Sequence, residues 1–158
     1  MKLTKDLVIF ITGGASGLGE ESVRQLHQLG CKVAAADRDI DRLESLGLSG
    51  DNILLLKCDV AIESDVKAAV DATIAKWGTI HVALTSAGVM MPMMTLTSKG
   101  SLDMKLFKKI MEVNLMGSIY VAKYASVAMS KNEPVNERGE KGVIIFVSSI
   151  CAEEGNKS

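Results

Sequence analysis

The chain has 158 residues, 47% of them hydrophobic, and a formal net charge of -1. That is the size of one domain with enough apolar side chain for a buried core, and no window is polar enough for disorder. The near-neutral charge removes the general attraction a nucleic-acid binder exploits, and no apolar run is long enough to span a bilayer, so neither nucleic acid nor a membrane is an expected partner.

Met1 to Asp6 runs straight into the first predicted strand, 7–12, leaving no room for a cleavable signal; a targeting signal within the fold stays open. Val23, Leu26 and Leu29 then recur at helical spacing up to Gly30, a plausible C-cap. A second strand is predicted over 32–36 and a short helix between the N-cap Asp39 and the stop at Gly47. The third strand covers 53–57, and Val66, Ala69, Val70, Ile74 and Trp77 mark a helix that Gly78 ends. The fourth strand covers 80–84, and 90–100 reads as a loop. Phe107, Ile110, Met111, Leu115 and Val121 form the buried stripe of one long helix from about 102 to 130. The polar insert 131–141 reads as a surface loop, and 143–147 as the fifth strand. The alternation implies a parallel sheet with helices on both faces, with no internal repeat and no second domain. Cys31, Cys58 and Cys151 are odd in number and far apart, which favours reduced thiols in an intracellular compartment over a disulfide scaffold or metal site. Cys31 and Cys58 read as core, and His27 in the first helix and His81 in the fourth strand as incidental.

Thr12 to Gly19 reads Thr-Gly-Gly-Ala-Ser-Gly-Leu-Gly directly after the apolar run Leu7 to Ile11. A short strand entering a glycine-rich turn and then a helix brings bare backbone, and the positive helix end, to a dinucleotide's phosphates. The candidate residues there are Thr12, Gly13, Ser16, Gly17, Leu18 and Gly19, with a purely structural turn as the alternative. Asp37, just beyond the second strand, stands near the ~20-residue spacing at which an acid bonds the adenosine ribose. A carboxylate there repels a 2′-phosphate and favours NAD, whereas the adjoining Arg38 can accept that phosphate. Asp59-Val60 closes the third strand, where adenine should lie, although Asp59 also reads as a helix cap. Thr85-Ser86-Ala87-Gly88 closes the fourth, where Ser86, Ala87 and Gly88 let backbone approach the cofactor. These groups all sit at C-terminal strand ends, where open α/β sheets bind ligands.

At this point the chain resembles the short-chain dehydrogenase/reductase family. Thr12-Gly-x-x-x-Gly17-x-Gly19 matches the family's cofactor turn, Asp59-Val60 its adenine-side pair, and Asn114 and Ser148-Ser149 its asparagine and serine regions. Thr85-Ser86-Ala87-Gly88 stands where the family usually has Asn-Asn-Ala-Gly, so the first position departs. Val113 to Gly117, the insert Asn132-Glu133-Pro134 and Gly142 to Ile145 look closest to the type 2 3-hydroxyacyl-CoA dehydrogenase branch, which also takes hydroxysteroids. The resemblance implies a Rossmann-like, doubly wound α/β sheet of about five strands over 1–158, as a single NAD-binding domain covering the N-terminal three-fifths of a family domain. It implies a mitochondrial matrix location, a homo-oligomer in the full-length form, and a small acyl-CoA or steroid substrate.

By the same resemblance, Ser149 hydrogen-bonds the substrate oxygen and Asn114 supports a water relay. Each has a plainer reading: Ser149 as a strand-end turn residue, Asn114 as a member of a structural network on the buried stripe. The family's Tyr-x-x-x-Lys pair is expected just beyond Ser158, with the C-terminal helix and substrate lid. Tyr120, Lys123 and Tyr124 have the wrong spacing and precede Ser149, so they are not that pair. The chain is thus expected to be C-terminally truncated, as a fragment, a shortened isoform, or the product of a code that reads a stop codon as glutamine. Met90, Met91, Met93 and Met94 follow the fourth strand, where the substrate cleft begins, and suit acyl chains, flat steroid faces or ordinary loop packing.

Overall fold

The computed structural model describes residues 3–91, 94–98 and 100–155. Five strands, β1 (Val8–Thr12), β2 (Lys32–Asp37), β3 (Ile53–Lys57), β4 (Val82–Thr85) and β7 (Val143–Phe146), form one sheet in the order β3-β2-β1-β4-β7. Every pairing is parallel, with Ile9 beside Val33 and Val82, and Leu84 beside Ile145. The strands pair in parallel because each return passes through a helix. They are near-continuous apolar runs because helices cover both faces of the central strands.

On one face, α1 (Gly17–Gln28) and α2 (Ile40–Glu44) bring Val23 and Leu43 onto Ile9, Ile11, Val33 and Ala35. On the other, α3 (Glu63–Trp77) and α5 (Gly117–Met129) bring Val66, Val70, Val121 and Ala125 onto Phe10, Ala34 and Ala83. The helix ends follow the sequence. Asp39 caps α2 by accepting from Arg42 N, and Gly78 closes α3 in the left-handed region at φ 81°. Cys31 and Cys58 are buried and, with Cys151, free thiols.

Several expectations need correction. The predicted helix 102–130 is three segments: α4 (Met104–Ile110), a π-helical stretch Met111–Met116, and α5. Of its expected buried stripe Val121 is buried and Ile110 half-buried, but Phe107, Met111 and Leu115 are 38%, 38% and 46% exposed, and Val113, Gly117 and Ala125 face inward instead. A π-turn carries an extra residue per turn, so a 3.6-residue period counted through it points at the wrong face. The loop 90–100 contains a short antiparallel pair, β5 (Leu96–Thr97) and β6 (Gly100–Ser101). The fourth strand starts at Val82, so His81 precedes it, and Asp37 ends β2 instead of following it. A short helix α6 (Cys151–Glu154), unforeseen, follows β7.

β7 is an edge strand, and Val143, Ile145, Phe146 and Val147 remain exposed. At the far end of the sheet, Asn132 of the insert donates to the carbonyls of Ile80 (2.8 Å) and Lys141 (2.9 Å) and accepts from the Thr79 hydroxyl. The insert is therefore pinned across the start of β4 and the entry to β7.

Candidate functional site

The C-terminal ends of β1, β2, β3 and β4 surround a cleft of about 150 Å³. Its walls are Gly13, Ser16, Asp37, Arg38, Cys58, Asp59, Val60, Ser86, Ala87, Gly88, Val89 and Val113.

The glycine turn and the end of β4 cross at backbone contact. Ser86 N donates to Thr12 O at 3.2 Å, and a Cβ on Gly13 would stand 2.6 Å from Ala87 N. Gly13 also has φ +74°, so it must lack a side chain for space and for conformation. Gly19 packs under Gly13, where a Cβ would collide with the Gly13 carbonyl. Gly17, at φ +55°, has open space around its Cα and starts α1. Ser16 precedes α1 but makes no side-chain cap, so the first-turn N–H groups of Gly17, Leu18 and Gly19 are left for a ligand. A twelve-residue helix with an uncapped N-terminus at a cleft fits a diphosphate.

Asp37 is held by the backbone. Its Oδ2 accepts from Ala15 N and its Oδ1 from Asp39 N, both at 3.0 Å, which fixes the carboxylate between the glycine turn and α2. Asp59 makes an Asx turn: Oδ1 accepts from Ala61 N at 3.0 Å, while its own N–H donates to Asp65. The cap position of α3 is Ile62, so Asp59 is not the helix cap. Cys58 lies in the wall beside these acids. Burial, and then the charges of Asp65, Asp59 and Asp37, push its thiol up to about 12, so it stays protonated.

Asn114 is exposed instead of lying on a buried stripe. Its amide is spent on the backbone of one residue, with Oδ1 accepting from Val89 N at 2.8 Å and Nδ2 donating to Val89 O at 2.9 Å. Its carbonyl accepts from the Ser118 hydroxyl at 3.0 Å. Ser149 follows β7 on an exposed turn, where its Oγ accepts from Cys151 N at 3.2 Å. That leaves its O–H free to donate. Neither Asn114 nor Ser149 is a wall of the cleft. Lys123 and Tyr124 are turned away, both donating to Glu63 Oε1 at 2.7 and 2.8 Å and lowering the pKa of that carboxyl.

Nine of the residues singled out from sequence thus come together: Gly13, Ser16, Asp37, Arg38, Asp59, Val60, Ser86, Ala87 and Gly88. Thr12, Gly17, Leu18 and Gly19 flank them through the turn and α1. Sequence reasoning missed Val89 and Val113 and assigned Cys58 to the core alone. Val113 adjoins the π-helical asparagine, but no local signal marks a π-turn. Met93 of the methionine run lies outside the described residues; Met90 and Met94 are exposed. Among the described residues, no three His, Cys, Asp or Glu side chains gather as for a metal, and no helix is long and apolar enough to cross a membrane.

Comparison with known proteins agrees with this architecture. The chain is 34% identical over 154 residues to human 3-hydroxyacyl-CoA dehydrogenase type-2, covering 96% of this chain and 59% of that protein. It is 37% identical over 150 residues to (+)-borneol dehydrogenase 1 of Salvia officinalis, covering 92% and 53%. The 3-hydroxyacyl-CoA dehydrogenase type-2 of Mycobacterium avium superposes with a TM-score of 0.87 at 30% identity, covering 98% of this chain and 61% of that one. A 3-ketoacyl-(acyl-carrier-protein) reductase of Brucella melitensis, solved with NADH, superposes at 0.83 and 28% identity, covering 95% and 60%. The chain therefore spans between half and about three-fifths of these proteins' length. The short chain dehydrogenase family profile matches residues 7–158, and the chain belongs to that family.

Proposed function

We propose that the chain is the NAD(H)-binding part of an oxidoreductase that interconverts a secondary alcohol and a ketone, with a 3-hydroxyacyl-CoA as substrate. One observation carries the cofactor assignment: the cleft joins a left-handed, backbone-crowded Gly13 to a carboxylate, Asp37, that backbone N–H groups fix in its wall. When bound, NAD supplies the hydride acceptor or donor at its nicotinamide ring. The α1 N-terminus binds the diphosphate. Asp37 accepts from the ribose hydroxyls, since each of its oxygens takes one protein N–H and retains acceptor capacity. Val60 and Asp59 would line the adenine end, and the backbone of Ser86, Ala87 and Gly88 would lie against the dinucleotide. Ser149 donates its free O–H to the substrate oxygen, and Asn114 holds the Val89 peptide at the cleft edge. The acyl-CoA assignment, with hydroxysteroids as a second class, is supported by two type-2 relatives; the borneol dehydrogenase is the main competing likeness. The type 2 resemblance also supports a mitochondrial matrix location and a homo-oligomer.

A second reading is an NAD-binding scaffold without turnover. Lys123 and Tyr124 favour it, because both are bound to Glu63 and neither lines the cleft. The deciding experiment measures NADH binding, and NADH formation with 3-hydroxybutyryl-CoA or borneol, for this chain and for one continued through a Tyr-x-x-x-Lys helix. Turnover of the acyl-CoA by the continued chain supports the first reading. Binding without turnover by either supports the scaffold, and absence of NADH binding overturns both.

A further inference from the structure

We infer that Gly117 is a positioning residue for the dinucleotide site: its missing side chain seats α5 directly on Val60 and so sets the width of the cleft at the adenine end. The inference rests on the dinucleotide reading above. Gly117 has ordinary helical dihedrals, φ -55° and ψ -46°, so its backbone does not require glycine. Glycine within a helix weakens it relative to alanine, so its presence there needs another cause. The cause is contact: a Cβ at 117 would stand 2.8 Å from Val60 Cγ2, 2.9 Å from Val60 Cβ and 3.1 Å from Val60 O.

Neither partner can retreat. On the α5 side, Val121 and Ala125 are wholly buried, and Lys123 and Tyr124 tie the helix to Glu63 of α3. On the Val60 side, the turn is fixed by bonds from Ala61 N and Ile62 N to Asp59, and from Asp59 N to Asp65. An added methyl is therefore relieved by pushing the stiff, β-branched Val60 side chain into the cleft it lines. The π-turn ahead of Gly117 and the start of α5 set several lining residues together: Asn114 holds Val89, Val113 itself lines the cleft, and Gly117 seats Val60.

The test measures NADH dissociation constants by fluorescence, with urea midpoints, for the wild type, Gly117→Ala, Val60→Ala and the double variant. Gly117→Ala should weaken NADH about tenfold, equivalent to about 1.4 kcal/mol. In the Val60→Ala background the same change should cost less, about threefold, because the Cγ2 methyl that it would push into the cleft is gone while the contacts to the Cβ and the carbonyl of residue 60 remain. An unchanged constant in Gly117→Ala, or an equal loss with and without Val60, overturns the inference. Should Gly117→Ala fail to fold, the double variant decides: it must fold and bind NADH within about threefold of Val60→Ala. A wild type that does not bind NADH overturns the dinucleotide reading, and with it this one. A wild type that binds alongside an unaffected variant overturns this one alone.

Discussion

Replacing Gly13 and Gly17 separately by alanine separates what the glycine turn does for folding from what it does for binding. Both have positive φ, +74° and +55°, and an L-residue in that region costs about 1–2 kcal/mol. Gly13 adds a collision. Its Cβ would stand 2.6 Å from Ala87 N and 2.8 Å from both Ala87 Cα and Ser86 C. These are main-chain atoms held by the Ser86 N to Thr12 O bond and the β1–β4 ladder, so no side chain can rotate away. Overpacking of that kind costs about 1–3 kcal/mol more. Gly17 meets nothing within 4 Å and bears only the conformational cost. For a chain of this size each kcal/mol moves the midpoint by about 2–4 °C. Gly13→Ala should then lower Tm by ~10 °C and Gly17→Ala by ~3–6 °C, read by far-UV circular dichroism. NADH titration should show the converse for Gly17→Ala, a loss of affinity beyond its modest loss of stability, because its methyl enters the open space at the α1 N-terminus. Equal Tm shifts for the two variants would refute the reasoning.

Asp37→Ala should remove the acceptor of both Ala15 N and Asp39 N, lowering stability by about 1–3 kcal/mol in urea unfolding. It should also narrow the preference for NADH over NADPH, measured as the ratio of dissociation constants. His81 accepts from Val8 N through Nδ1, and burial, aided by Lys32, lowers its pKa below the usual 6.5. The unfolded chain takes the proton first, so this contribution is complete above about pH 6.5 and is lost as pH falls through the folded value. The urea midpoint should drop between pH 7.5 and 5.5, and less so in His81→Gln. Thiol labelling at pH 8 should modify the exposed Cys151 promptly and leave Cys58, pushed up to about 12, and the buried Cys31 unmodified until the chain unfolds. Prompt labelling of two or more thiols per chain would contradict the burial described.

The sheet and the adenosine side of the cleft were readable because they depend on local chemistry. Thr12 to Gly19 follows a β-branched run, and Asp37, Asp59 and Ser86 end apolar strands, so each position follows from one strand and the rule that parallel sheets bind at carboxyl ends. The asparagine helix was not readable in the same way. Its largest apolar residues, Phe107, Met111 and Leu115, suggest a buried stripe at a 3.6-residue period, but the π-turn rotates Val113 and Gly117 inward. One extra residue per turn leaves no trace in composition. Cys58 was half read: burial was foreseen, but not that the same thiol faces a cleft. That depends on how Asp59 turns the chain after β3.

The pin formed by Asn132 bears on the order in which the sheet assembles. The connection from β4 to β7 runs from Ser86 to Gly142, the longest in the sheet, so β7 must close the largest loop before its pairing yields any stabilisation. Asn132 joins the carbonyls of Ile80 and Lys141 across the mouth of that loop, which ties the entry of β7 to the start of β4. Once the insert docks, only the short tether from Lys141 separates the strand from its place. Loop closure therefore predicts that β7 is the last of the five to join. Until Asn132 engages, Val143 to Val147 is an unpaired, charge-free and aggregation-prone segment of the folding chain.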